Sequence, residues 1–305
     1  MAQESPSRAQ QLLWRLEALA FDLFAGVMRL LPVDWVSDFG AVLFGGIGPK
    51  TSANRTVERN LRIVFPEASE AEIARLRDAQ WREAGRFFAE FPIVDRIARD
   101  PSRIEVVHRE RLLAVAQGQG PVVLISGHFS NFEIMAAAIV QAKVPALISY
   151  RAANNPLFDL RVRQSRARYG VELFAAKGAE GAREMMRAFA RGQSVALLND
   201  QKFNGGIAAP FFGVTAYTAP GPTTFALKFN IPLLPMSVQR VKKARFRVVV
   251  HEPIVLENTG DRAADIEAGV RRINAFMEER VRERPTEWFW VHKRWPKEMY
   301  KRKKG

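Results

Sequence analysis

From residue 104 onward, short apolar runs of strand type alternate with helical stretches, and few architectures satisfy that alternation. Strand-like runs fall at 104–107, 122–126, 146–150, 171–175, 194–198, 233–239 and 246–251. Helical periodicity falls between or after them at 132–141, 156–169, 179–190, 219–229 and 262–284. Strands that alternate with helices of this length imply an α/β fold: a largely parallel central sheet with helices on both faces. Upstream, helices are expected over 51–65 and from Ser69, whose Ser-x-x-Glu72 pattern is a capping box, to about residue 92. No repeat or low-complexity linker interrupts the chain. The expectation is a helical N-terminal appendage over 1–95 and an α/β core over 96–305.

In such a sheet, function collects at the loops leaving the carboxyl ends of the strands. The most informative of these is Val122-Val-Leu-Ile-Ser-Gly-His-Phe-Ser-Asn-Phe-Glu133. An apolar run stops at Gly127, His128 follows at once, and Glu133 comes five residues later where a helix begins. A histidine just past a strand end is held firmly yet reaches a substrate, and a carboxylate can set its tautomer and balance its charge. The same residues also fit a Ser-x-x-Glu capping box, Ser130 as N-cap and Glu133 at N3, which needs no catalysis. Three other loops reach the same rim. One, ending in a proline at helix position N1, leads into a helix bearing Arg163, Arg166 and Arg168. Another carries Lys177, and a third carries Asp200 and Lys202 before Gly205-Gly206. Basic groups so placed suit an acidic substrate bearing phosphates or carboxylates.

Composition narrows the chemistry. The chain has no cysteine, which removes disulfides, thiolate metal sites and a cysteine nucleophile. Its four histidines show no metal-ligand spacing, so neither a metal nor a cofactor is expected. No Gly-x-Ser-x-Gly elbow is present. The net charge of +14 suits nucleic acid, an anionic membrane or an acidic soluble partner. No nucleic-acid-binding signature accompanies it.

Both termini point to a membrane surface. Residues 1–11 lack the basic and apolar regions of a cleaved signal peptide. Residues 12–31 are rich in Leu, Ala and Phe but carry Arg15, Glu17, Asp22 and Arg29. Each charge at a bilayer centre costs roughly 2.5–3.5 kcal/mol, which argues against a plain spanning helix. Arg15, Asp22 and Arg29 recur every seven residues on one stripe, as in a helix lying in the interface; a helix packed on the protein's own core explains the pattern equally well. The segment 292–305 holds seven Lys or Arg against one Glu, with Trp295 and Tyr300 interleaved, as at a headgroup layer.

Five motifs in order carry a family resemblance: Gly127-His-Phe-Ser-Asn-Phe-Glu133, Tyr150-Arg-x3-Asn-Asn-Pro-Leu-Phe-Asp159, Asn199-Asp-Gln201, Ala209-Pro-Phe-Phe-Gly213 and Glu287-Trp-Phe-Trp-Val-His-Lys-Arg-Trp295. Together they resemble the late lauroyl and myristoyl acyltransferases of lipid A biosynthesis. The resemblance implies an enzyme at the cytoplasmic face of the inner membrane that moves a fatty acyl chain from acyl carrier protein to a hydroxyl of a lipid A precursor. It implies His128 and Glu133 as the catalytic dyad, with Glu133 orienting the ring. Arg166 and Asp200 match further site positions, and Lys177 is expected beside Arg166 on the acceptor. The chain departs from the common pattern at Ser130, Phe132, Lys202 and Phe203, which leaves open another lysophospholipid or glycolipid acceptor. A basic, non-enzymatic binding protein is the remaining alternative, and it leaves the strand-end histidine unexplained.

Overall fold

The computed structural model describes residues 6–175 and 178–301. Among the described residues five α-helices precede the first strand: α1 (Arg8–Leu30), α2 (Val33–Ile47), α3 (Asn54–Val64), α4 (Glu70–Glu90) and α5 (Val94–Ala98). The Ser69 capping box forms as expected, the Ser69 hydroxyl accepting from Glu72 N–H and the Glu72 carboxylate accepting from Ser69 N–H. Helices α2 and α4 cross at Gly40 and Gly85, where each glycine's missing Cβ leaves room for the other's carbonyl. Any side chain at either position would separate the two helices.

The strands are β1 (Ile104–Val107), β2 (Val123–Ser126), β3 (Ala146–Tyr150), β4 (Leu173–Ala175), β5 (Ser194–Leu198), β6 (Ile207–Phe211), β7 (Val214–Thr218), β8 (Leu233–Lys242) and β9 (Arg245–Val250). Between and after them lie α6 (Arg109–Ala116), α7 (Glu133–Gln141), α8 (Pro156–Ala167), α9 (Gly178–Ala190), α10 (Gly221–Phe229) and α11 (Arg262–Glu283). Seven strands form one sheet in the order β1-β9-β8-β2-β5-β3-β4. Strands β8, β2, β5, β3 and β4 run parallel, while β9 is antiparallel to β8 and carries β1 parallel to itself. The expected α/β architecture is therefore present. Outside the expected elements lie the helices α2, α5 and α6, and the β6–β7 hairpin, a separate two-stranded sheet.

Buried side chains form one continuous core from Met28 to Trp295. It joins Val57, Leu61 and Trp81 of the early helices to the sheet residues Val123, Leu124 and Val195. The strand β2 is buried along its whole length, so its apolar run reads without alternation, as a central parallel strand does.

Helix α1 keeps an outward apolar face as an interfacial helix would, whereas the basic C-terminal segment sits differently from the expectation. Helix α1 turns its polar stripe toward the protein: Arg29 pairs bidentately with Asp95, Asp22 pairs with Arg161, and the Glu17 carboxylate accepts from Asn155. Its leucines point outward, with Leu23 71% and Leu30 85% exposed, and α2 adds Trp35 at 66% and Val42 at 68%. Among the described residues no helix is long and apolar enough to cross a membrane. At the other end, Trp295 and Arg294 are fully buried. The Trp295 indole donates to Phe211 O, and Arg294 donates to Tyr217 O and the Thr218 hydroxyl. That part of the basic segment is core rather than headgroup surface, because the β6–β7 hairpin folds over it.

Candidate active site

Strands β2 and β5 pair in parallel with Ser126 opposite Leu198, and the ladder continues through Asn199 N–H to Ser126 O at 2.8 Å. Two residues past those ends, His128 and Asp200 lie side by side. The Asp200 carboxylate accepts from His128 Nδ1 at 2.7 Å and from the His128 backbone N–H at 2.9 Å. A third donor, Trp288 Nε1, reaches it at 2.7 Å. Asp200 is buried, which opposes ionisation, but the adjacent His128 and its hydrogen bonds outweigh burial and hold the carboxyl well below the usual range. An ionised Asp200 fixes the proton on Nδ1 and leaves Nε2 as the acceptor nitrogen. Nε2 faces outward, 3.3 Å from the Gln201 amide nitrogen.

The expected contact between Glu133 and His128 is not made. Glu133 opens α7 as its first residue and accepts from Arg166 Nε at 2.9 Å, Arg166 Nη2 at 2.6 Å and the Tyr169 hydroxyl at 2.6 Å. Burial disfavours the Arg166 cation, but the Glu133 charge overcomes it and raises the guanidinium above its ordinary value. Burial and Glu133 together raise the Tyr169 hydroxyl far up. Arg166 is therefore committed to Glu133 rather than free to grip an acceptor. Lys177 lies outside the described residues.

The capping box expected at Ser130 is also absent, and the chain's C-terminal strap explains why. Residues 287–289 run antiparallel to 128–130: Ser130 N–H donates to Glu287 O at 2.6 Å, and Phe289 N–H donates to His128 O at 3.0 Å. This pairing holds Ser130 at φ 46°, a left-handed conformation, so its side chain cannot reach back to the first turn of α7. Its hydroxyl is buried without a partner among the described residues. Asn131 donates to Glu90, which also accepts from the buried Arg240 at 2.6 Å, and Arg240 N–H donates to Glu287 at 3.0 Å. The histidine loop is thus pinned from three sides, by β5, by α4 and by the strap. Burial raises Glu287 to about 7 and depresses His292, whose ring lies 6.2 Å from that of His128, to about 4. Neither nitrogen of His292 has a partner among the described residues, so this second imidazole is a neutral wall of the site.

His128, Tyr150, Arg151, Arg166, Gln201 and Phe203 border a cleft of about 600 Å³ at the carboxyl ends of β2, β3 and β5. Adjoining it, and sharing Phe132, Ser149, Arg166 and Leu198 with it, is a largely apolar pocket of about 70 Å³ lined also by Leu124, Met135, Ala136, Ile139 and Leu197. Tyr169, Gln201 and Trp288 were not foreseen as site residues. Gln201 and Trp288 each stand inside a quoted motif, whereas Tyr169 carries no sequence signal.

An ionised aspartate and an imidazole aligned by it, at the strand ends of an α/β sheet and on the border of a cleft, form an arrangement able to accept a proton. The sequence model of the bacterial lipid A biosynthesis acyltransferases matches residues 13–297, nearly the whole chain, and the protein belongs to that family. A sequence search of curated proteins gives no match. Among solved structures, the 1-acyl-sn-glycerophosphate acyltransferase PlsC from Thermotoga maritima is similar at 14% identity and a TM-score of 0.36, over 77% of this chain and 96% of that one.

Proposed function

We propose that this acyltransferase moves a fatty acyl chain from acyl carrier protein to a hydroxyl of a lipid A precursor, with His128 as general base. The observation that carries the reading is the Asp200–His128 pair, with His128 bordering an open cleft of about 600 Å³. The acceptor hydroxyl gives its proton to Nε2 while its oxygen attacks the thioester carbonyl. The tetrahedral intermediate collapses, the carbon–sulfur bond breaks, and the leaving thiolate takes the proton back from the imidazolium. A thioester is already activated, so deprotonation and alignment are the main demands, the former worth roughly 10²–10⁴-fold. Asp200 holds the tautomer and balances the imidazolium, and Gln201 marks where the hydroxyl enters. No acyl-enzyme is required.

Glu133 and Arg166 act here as a fixed ion pair that shapes the cleft wall, and the adjoining apolar pocket takes the end of the acyl chain. Exposed Arg151 and the net charge of +14 favour an acidic carrier protein as donor. Residues 1–95 serve as the membrane-associating region, with the outward leucines of α1 and the outward face of α2 resting on the cytoplasmic face of the inner membrane.

The test is turnover by purified protein given acyl carrier protein or coenzyme A thioesters, and lipid A precursor or a lysophospholipid as acceptor. Transfer only from the carrier protein to the lipid A precursor, lost in His128→Ala, is the expected result. Transfer to the lysophospholipid alone, or full turnover in His128→Ala, would overturn it.

A further inference from the structure

Helix α8 has two working faces. Phe158, Asp159, Val162 and Arg166 look into the catalytic cleft, while Arg161, Gln164, Ser165 and Arg168 look the other way, toward α1. There they enclose a separate groove of about 230 Å³, completed by Phe21, Asp22, Ala25, Gly26, Arg29 and Pro92. Three of the lining residues are arginines and one is acidic. Arg29 is satisfied by Asp95 and Arg161 by Asp22. Arg168 is exposed and, among the described residues, has no carboxylate within ion-pair distance. The Gln164 amide is also exposed and has no protein partner among the described residues, and the buried Ser165 hydroxyl makes only a 3.5 Å contact with Phe91 O.

Gly26 supplies an independent observation. A glycine inside a helix is destabilising relative to alanine. At Gly40 the same cost is explained by the crossing with α4. At Gly26 a Cβ would meet no heavy atom within 4 Å, so packing within the chain does not require glycine there. What glycine provides is open space on the floor of the groove. Leu23 and Leu30, on the same helix as the groove residues Asp22, Gly26 and Arg29, are exposed apolar side chains, so the groove lies on an element that offers apolar contact to a lipid surface.

We propose that this groove between α1 and α8 binds the phosphate of a lipid headgroup, with Arg168, Gln164 and Ser165 as its donors and Gly26 leaving the room. Guanidinium and neutral donors around a small polar recess match phosphate oxygens, whereas diffuse attraction to an anionic surface would need no recess. Two sources share this chemistry: an anionic lipid of the surrounding bilayer, and a phosphate at the far end of the lipid acceptor. The second rests on the acyl-transfer reading given above.

The experiment uses the full chain with vesicles of phosphatidylcholine, with and without phosphatidylglycerol, and reads the ratio of the two affinities. Arg168→Ala is expected to lower that ratio roughly fivefold, the worth of one basic residue at an anionic surface. Gly26→Leu removes no charge and keeps a good helix former, yet it fills the groove and is expected to lower the ratio as well. Gly26→Ala places one methyl in the same space and is expected to lower the ratio less than Gly26→Leu does. A second arm measures KM for the phosphorylated acceptor in neutral detergent. A rise in Gly26→Leu with kcat unchanged assigns the groove to the acceptor's own phosphate. An unchanged vesicle ratio together with an unchanged KM in Gly26→Leu overturns the site. Failure of acyl transfer altogether would overturn the functional reading and leave the vesicle arm intact.

Discussion

Trp288 and Asp200 stand 88 residues apart and share a 2.7 Å hydrogen bond inside the protein, indole N–H to carboxylate. The contact puts the Glu287–Trp295 motif at the back of the site rather than at its mouth. Asp200 has two oxygens and three donors: Oδ1 faces the His128 ring, and Oδ2 takes the His128 backbone and the indole. The arrangement leaves the carboxylate one orientation, and through it the imidazole.

This relationship ranks two substitutions. Asp200→Asn keeps the shape but presents an amide that can hold the wrong tautomer of His128. Loss of the same carboxylate in a serine-protease triad costs about 10⁴ in kcat, and a fall of that order is expected here with KM little changed. Trp288→Phe keeps an aromatic ring, at the cost of a small cavity, and removes the donor to Oδ2, worth roughly 10–100-fold as a hydrogen bond to a charged group. Steady-state kinetics on both proteins check the order. A larger loss in Trp288→Phe than in Asp200→Asn would place the indole, not the carboxylate, at the centre of the reaction.

Glu133 and Arg166 make a different kind of pair. The Glu133 side chain is 3% exposed and that of Arg166 15%. Glu133→Gln leaves a buried guanidinium without its counter-charge, and breaking a buried pair this way costs about 3–5 kcal/mol. Chemical denaturation should therefore show a large loss of stability, and turnover should fall with the cleft wall. Removing both charges in Glu133→Gln/Arg166→Met is expected to restore most of the stability without restoring activity. If Glu133→Gln is as stable as the parent, the ion pair is not what holds α7 against α8.

The sheet was legible because its strands are short apolar runs bounded by turns. Strands β1, β3 and β5 begin and end where the sequence pattern says. The β6–β7 hairpin escaped because Pro210 and the turn at Phe212-Gly213 interrupt its alternation, and it packs outside the main sheet. His128 was legible from its place after β2. Its partner was not, because the pairing of Ser126 with Leu198 is a long-range register that no local pattern encodes. Glu133, five residues away, fits both a dyad and a capping box on paper. The left-handed backbone at Ser130, imposed by the distant Glu287 carbonyl, decides against the cap, and Arg166 takes the carboxylate.

The outward face of α1 makes the membrane reading testable without touching the fold. Leu19 is 64% and Leu23 71% exposed, so Leu19→Asp/Leu23→Asp removes little buried area and should leave the denaturation midpoint nearly unchanged. Binding to phosphatidylcholine vesicles should drop by at least tenfold, since two charges replace apolar groups that would enter the bilayer, at about 1.4 kcal/mol per decade. Flotation with vesicles measures it. Unaltered flotation would mean that another face meets the membrane.

Glu287 carries the clearest pH signature. Burial raises its carboxyl from an ordinary 4.5 to about 7, so between those values the folded chain holds a proton that the unfolded chain has released. Stability on this account is fully present below pH 4.5, declines as pH rises through the window, and is level above it. A shift of this size corresponds to roughly 3 kcal/mol lost by pH 8. Glu287→Gln keeps an oxygen to accept from Arg240 N–H and removes the titration. The two proteins should therefore match near pH 4 and diverge steadily to pH 7, with the variant more stable at alkaline pH. The measurement is the denaturation free energy of both proteins from pH 4 to 8. A difference curve that stays flat across that range would show Glu287 already ionised within the fold, held by Arg284 at 3.3 Å.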